Sequence, residues 1–157
     1  MTWIGDEIIL ENATLGERVV ERTHASGATV AFCRKPGYLR RYACFSTHFG
    51  SVDDRYRING GPEVLLPDGI AHFLEHKMFE GPEEDAFVQF SRMGASANAF
   101  TSFVGTTYLF SCVDGFFPCL DHLVRFVQQP HFTTENVEKE KGIIGREIRM
   151  YADNPGW

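Results

Sequence analysis

A chain of 157 residues with 43% hydrophobic and 13% aromatic content has enough apolar material for a real core, which argues against a disordered segment. Its net charge of −6 opposes electrostatic capture of nucleic acid or of an anionic membrane surface. No apolar run reaches the roughly 18 residues of a membrane span, since the longest, near Phe116 to Val127, is broken by Pro118, Asp121, His122 and Arg125.

The N-terminal residues Met1-Thr2-Trp3-Ile4-Gly5-Asp6-Glu7 show no cationic region followed by an apolar run, so no secretory signal is read there. Cys33, Cys44, Cys112 and Cys119 form no Cys-x-x-Cys pair and no cluster with ligand spacing. All four are expected to be reduced structural residues, and the setting soluble and cytoplasmic. A single domain over residues 1–157 is expected.

In chain order, the first half reads as strands. Thr29 to Cys33 and Arg41 to Phe49 are β-branched and aromatic runs bounded by Lys35-Pro36-Gly37 and Gly50-Ser51. A Gly- and Pro-rich loop, Asn59 to Pro67, leads to Asp68, an expected N-cap for a helix over about Gly69 to Phe79. A second helix is expected over Glu83 to Met93, ended by Gly94. Two strands, Ser96 to Phe103 and Thr106 to Val113, are separated by Gly105. A helix from about Phe117 to Gln128 and a last one from Thr133 or Thr134 to about Asp153 complete the order. The expected class is α+β, an antiparallel-rich sheet with helices packed on one face.

The segment that carries chemistry is His72-Phe73-Leu74-Glu75-His76. On a helix, residues four apart share a face one turn apart, so two imidazoles can grip one metal ion. Glu75 projects near the same face, where a carboxylate can take a proton from a water that zinc has acidified. His-x-x-Glu-His is the reverse of the commoner zinc-peptidase helix motif. The competing account is two surface histidines with an incidental Glu. A mostly apolar helix, with Phe73, Leu74, Met78 and Phe79, weighs against it, because polar groups there need partners.

Catalytic zinc takes three protein ligands and a water. The last helix carries Glu140 and Glu147, seven residues or about two turns apart, on the stripe of Val137, Ile144, Ile148 and Tyr151. Taken alone, salt bridges from this pair to Lys141 or Arg92 at the stripe's edge are the better account. With a histidine pair lacking its third ligand in the same chain, the balance turns toward metal. His24, His48, His122 and His131 have no partner at ligand spacing. Asp53, Asp54, Arg55 and Arg57 read as a solvated turn, and Glu80, Glu83, Glu84 and Asp85 as a helix N-terminal region.

Four stretches together resemble the pitrilysin/insulysin metallopeptidases, which include the mitochondrial processing peptidases. Gly69 to Phe79 is similar to that family's metal helix, Gly94 to Ser102 to its substrate-edge strand, Thr107 to Phe110 to the paired strand, and Val137 to Ile148 to the helix with the third ligand. The resemblance runs from about Gly27 to Trp157 with the motifs in family order. It implies one zinc per chain on His72, His76 and Glu147, with Glu75 as the catalytic base. Glu140 is implied to support the site without binding the ion. Asn98, Ala99 and Phe100 are implied to bind a peptide substrate as an added strand.

The family's half-unit runs on beyond the last helix, and a second half or a partner subunit supplies an Arg/Tyr pair for the substrate. This chain ends at Asn154-Pro155-Gly156-Trp157, so an incomplete half-unit truncated at its C-terminus is expected. The implied activity is zinc-dependent peptide hydrolysis, completed by a second half-unit or partner subunit of the same family. The alternative is a non-catalytic member that binds peptides or steadies a partner; such members usually lack part of His-x-x-Glu-His. A purely structural zinc site fits poorly, because such sites are closed by four protein ligands, often Cys.

Overall fold

The computed structural model describes residues 2–152. The chain divides into two compact units, Met1–Leu39 and Arg40–Trp157. The first is an antiparallel three-stranded sheet in the order β1 (Trp3–Asn12), β2 (Glu17–His24), β3 (Thr29–Cys33). Only β3 is legible as a strand from its residues. In β1 the pairing with β2 shifts register between Ile4 and Ile8, with Gly5 at φ +71°, so apolar residues lose the period of two that marks a strand.

The second unit contains His72, Glu75, His76, Glu140 and Glu147. β4 (Arg41–Thr47), β7 (Ser96–Thr101) and β8 (Thr106–Cys112) form an antiparallel sheet in the order β4-β8-β7, and β5 (Arg55–Tyr56) pairs separately with β6 (Val64–Leu65). In β8 the side chains of Thr106, Tyr108, Phe110 and Cys112 are all buried. The register puts Ala43 and Ala97 beside Phe110, and Phe45 and Ala99 beside Tyr108, on that same buried face. Helices α1 (Ile70–Met78), α2 (Ala86–Arg92) and α3 (Phe116–Phe126) pack against this sheet. Phe79, Phe90, Cys119, Leu123 and Phe126 close the core over it. Burial of side chains such as Phe90, Phe110 and Leu123 contributes about 1.5–3 kcal/mol each. On the other face Tyr42, Asn98 and Phe100 are exposed. The α+β reading, with helices on one face of an antiparallel sheet, holds.

Several boundaries differ from expectation. Asp68 is not the cap of α1; Gly69 is, at φ +79°, with no side-chain cap bond, so the entry turn is set by glycine's freedom at positive φ. The second helix begins at Ala86 rather than Glu83, because Asp85 Oδ1 accepts from the Phe87 amide at 2.7 Å and starts it there. Thr133 caps α4 (Thr134–Tyr151) in a reciprocal box with Asn136. The expected helix end at Asp153 and the chain end lie outside the described residues. α4, at 18 residues, is twice the length of α1, so its later stripe residue Ile148 is exposed instead of facing the core. All four cysteines are free; Cys112 and Cys119 are buried, whereas Cys44 points away from the core and is exposed. Burial pushes the Cys119 thiol up, and neighbouring Cys112 adds to it.

Two local devices hold the site's supports in place. The first is a close backbone approach at Gly50. The Ser51 and Val52 amides donate to the Ser102 and Phe103 carbonyls at 2.9 and 3.1 Å, seating residues 50–52 on the β7–β8 turn. A Cβ at Gly50 would lie 2.4 Å from the Gly105 nitrogen and 2.5 Å from the Phe103 oxygen. The second is an ionic network at the end of α1. Lys77, 0% exposed, pairs with Glu80, whose other oxygen meets Lys139 of α4 at 3.4 Å. Partial burial raises the Glu80 carboxyl, but the two lysines outweigh it and hold it below the usual range.

Gly50→Ala is expected to destabilise the fold by about 2–3 kcal/mol, read as a lower midpoint in urea unfolding at unchanged slope. Because the folded Glu80 carboxyl lies below its unfolded value, its stabilising contribution is present above the ordinary carboxylate range and is lost as pH falls through the folded value. The stability difference between wild type and Glu80→Gln should therefore shrink on titration from about pH 6 to about pH 3. A gap that stays constant over that window would contradict the assignment.

Candidate metal centre

Nine residues of α1 present His72 and His76 one turn apart, with ring centroids 4.6 Å apart and planes at 81°. From α4, Glu147 reaches both: its Oε1 lies 3.7 Å from His72 Nε2 and its Oε2 3.8 Å from His76 Nε2. These distances are too long for hydrogen bonds. They suit three donors arranged about one ion, since ligand atoms about 2.1 Å from a tetrahedral centre stand roughly 3.4 Å from each other. One donor atom from each of His72, His76 and Glu147 lies within 4.8 Å of the other two, and this is the one such group among the described residues. The donor set, two imidazoles and one carboxylate, suits a borderline divalent cation.

Glu140 stands behind this group. It is 4% exposed, and its Oε1 lies 2.8 Å from His76 Nδ1. A carboxylate can only accept, so the imidazole's proton belongs on Nδ1 and the Nε2 lone pair is left facing Glu147. That is the orientation a metal-binding imidazole needs, and the hydrogen bond makes His76 a better donor. The salt-bridge partners weighed against metal are engaged elsewhere: Lys141 pairs with Glu138 and Arg92 with Glu84, both at 2.6 Å.

Glu75, 8% exposed, lies on the same helix between the two histidines in sequence. Thr101 Oγ1 donates to its Oε2 at 2.6 Å. Thr106, the neighbour of Thr101 across the ladder, spends its own proton on the Phe49 carbonyl at 2.9 Å, and Thr101 spends its proton on the Glu75 carboxylate, which can only accept, so neither hydroxyl donates to the other across their 3.4 Å separation. Burial pushes the Tyr108 hydroxyl well above the usual phenol range, and the Glu75 charge adds to it, so this phenol stays protonated. Thr101 was not among the residues expected at the site. Its signal was the period-two alternation Ala97, Ala99, Thr101, which puts it on the helix-facing side of the sheet.

β7 is an edge strand of its sheet. Ser102 donates to the Gly105 carbonyl across the turn, so by alternation along the register Phe100 and Asn98 bond to β8. The backbone groups of Ala97, Ala99 and Thr101 then face outward. Of the three residues expected to meet a peptide, Ala99 offers its backbone, while Asn98 and Phe100 offer exposed side chains. The Ala99 amide is occupied by the Asn98 side chain, whose Oδ1 accepts at 2.9 Å.

The remaining histidines lie outside the cluster. His24 Nδ1 contacts Ser26 Oγ, and His122 stacks edge-on against Phe90 while its Nε2 donates to the Ala86 carbonyl at 3.3 Å. The acidic stretch is divided: Asp85 caps α2, Glu84 holds Arg92, and Glu80 joins α1 to α4. An open cleft of about 410 Å³, lined by Met78, Phe79, His122, Arg125 and Phe126, touches none of the clustered residues.

The family model described as Insulinase (Peptidase family M16) matches residues 66–156, more than half the chain, a span that includes His72, Glu75, His76, Glu140 and Glu147. The chain is 50% identical over 149 residues to the uncharacterized zinc protease YmfH of Bacillus subtilis, an alignment covering 94% of this chain and 35% of YmfH. It is 29% identical over 142 residues to the insulin-degrading enzyme of Homo sapiens, covering 85% of this chain and 13% of that enzyme. Among solved structures, an M16-like peptidase from Alicyclobacillus acidocaldarius superposes with a TM-score of 0.84 at 44% identity, over 95% of this chain and 34% of that one. Pitrilysin shares the fold, with a TM-score of 0.73 at 19% identity over 95% of this chain and 16% of its own. The chain thus spans about a third of the length of the two bacterial relatives it matches best among these. By its matched family model, the chain belongs to the insulinase family, peptidase family M16.

Proposed function

We propose that this chain is the zinc-holding part of a peptidase, with His72, His76 and Glu147 as ligands to one zinc ion and Glu75 as general base. The observation that carries the reading is the convergence of Glu147 on both imidazoles across two helices, with Glu140 orienting His76. Relatives named zinc proteases support the choice of ion. When bound, zinc lowers the pKa of a water and withdraws electron density from a carbonyl.

The protein's own groups do the rest. Thr101 holds one oxygen of Glu75, leaving the second free to take a proton from the attacking water. Glu75 then delivers that proton to the leaving amine, so water is added across the C–N bond. An extended peptide lies along β7, bonding to the outward groups of Ala97, Ala99 and Thr101, with Asn98 and Phe100 beside its side chains. The exposed far side of this strand calls for a second half-unit or partner subunit to complete substrate binding, as does the chain's share of its relatives' length. That same share favours, as a second reading, a metal-loaded peptide-binding piece that turns over substrate only when so completed.

Elemental analysis of the purified chain should find about one zinc, lost on His76→Ala and much weakened on Glu147→Ala. Glu75→Gln should keep its zinc while hydrolysis of a quenched fluorescent peptide drops by roughly 10²–10⁴-fold. Turnover surviving in Glu75→Gln removes the base from that residue, and a His76→Ala chain with full zinc content overturns the site.

A further inference from the structure

The ionic network at the end of α1 belongs to neither the ligand set nor the proposed proton path, yet its placement bears on both. Lys77 is wholly buried, a position whose desolvation is costly for a lysine unless it is paired. Its partner Glu80 sits one turn beyond His76, and Glu80 in turn meets Lys139, the immediate neighbour of Glu140. The Glu80 backbone is held as well: its amide donates to the Lys77 carbonyl at 3.2 Å, and it bridges to Asp85. Two polar ties therefore join α1 to α4 at adjoining levels, His76–Glu140 and Glu80–Lys139.

One tie alone is a pivot. Glu147 lies seven residues past Glu140, about 10 Å along the helix axis, so a 10° swing of α4 about a single contact would move it by about 2 Å. A second contact, displaced along α1 by a turn, restricts that swing to rotation about the line joining the two contacts. A buried ion pair is weak evidence for stability in itself and is better attested as a device that sets register.

We infer that Lys77, Glu80 and Lys139 form a clamp that sets α4 against α1 and thereby holds Glu147 where it can meet His72 and His76. The three are positioning residues, and the inference rests on the proposed zinc site. Lys77 supports Glu80 from the buried side and Lys139 engages it from α4.

The test is zinc affinity, measured on the full chain by competition with a chromophoric chelator, beside the unfolding temperature of the metal-free chain. Glu80→Gln should weaken zinc about tenfold, the scale of one charge-assisted hydrogen bond. Lys139→Met should weaken it roughly threefold, and Lys139→Arg should stay within about twofold of wild type. The double variant Lys77→Met/Glu80→Gln removes one charge of each sign and should remain as weak as Glu80→Gln. Its return to wild-type affinity would mean that an unpaired lysine's field was responsible, which overturns the clamp. Affinities within about twofold of wild type in both Glu80→Gln and Lys139→Met, with only the metal-free unfolding temperature lowered, overturn it equally. A wild-type chain that takes up no zinc fails the underlying site, and the clamp with it, which separates that failure from the other two.

Discussion

A carboxylate buried against an imidazole is the constraint on which the second unit depends. Glu140 has almost no access to water, and a carboxylate so placed costs several kcal/mol unless a donor answers it. His76 Nδ1 answers it at 2.8 Å. That bond is one of the polar ties between α1 and α4, and it settles which imidazole nitrogen is protonated.

The sheet supplies the other half of the arrangement. β8 is its central strand, and its buried residues both floor the hydrophobic core and approach Glu75: Tyr108, Phe110 and Cys112 belong to the core, and Tyr108 and Thr106 lie on the side of Glu75 and Thr101. From Gly50, which tolerates backbone at van der Waals distance, contacts pass through the β7–β8 turn and Thr106 to Thr101, and so to Glu75. The carboxylate is thus held from both layers, by its own helix and by the strand beneath. Positioning of this kind on regular elements is more exact than loops provide.

How much of this could be read beforehand varies with the physical range of the interaction. His72 and His76 were legible because their spacing is local: four residues on a helix suffice to place both rings together. The layered α+β architecture was legible for the same reason, through periods of two and 3.6 in runs such as Thr106 to Cys112 and Leu120 to Val127. Glu140 and Glu147 could be seen to share a stripe, but their separate parts depend on how α4 crosses α1, which no local pattern encodes; only a family resemblance distinguished them. Thr101 was missed because its relation to Glu75 spans 26 residues. Asp68 and Gly69 show a subtler competition, in which a good capping side chain lost to a glycine that could turn the chain at positive φ. The bulged β1 hid from any test of alternation.

The amide of Asn98 has a consequence beyond its place at the strand's rim. An exposed edge strand is an invitation to any matching strand, including the same edge on another copy of the chain. By folding its Oδ1 back onto the Ala99 N–H, Asn98 meets the donor at the middle of the open stretch with a group that is tethered nearby and easily displaced. An incoming backbone carbonyl exchanges one hydrogen bond for another there at little net cost, whereas a casual contact gains nothing by arriving. One donor of the open edge is thereby satisfied until an arriving strand replaces the amide.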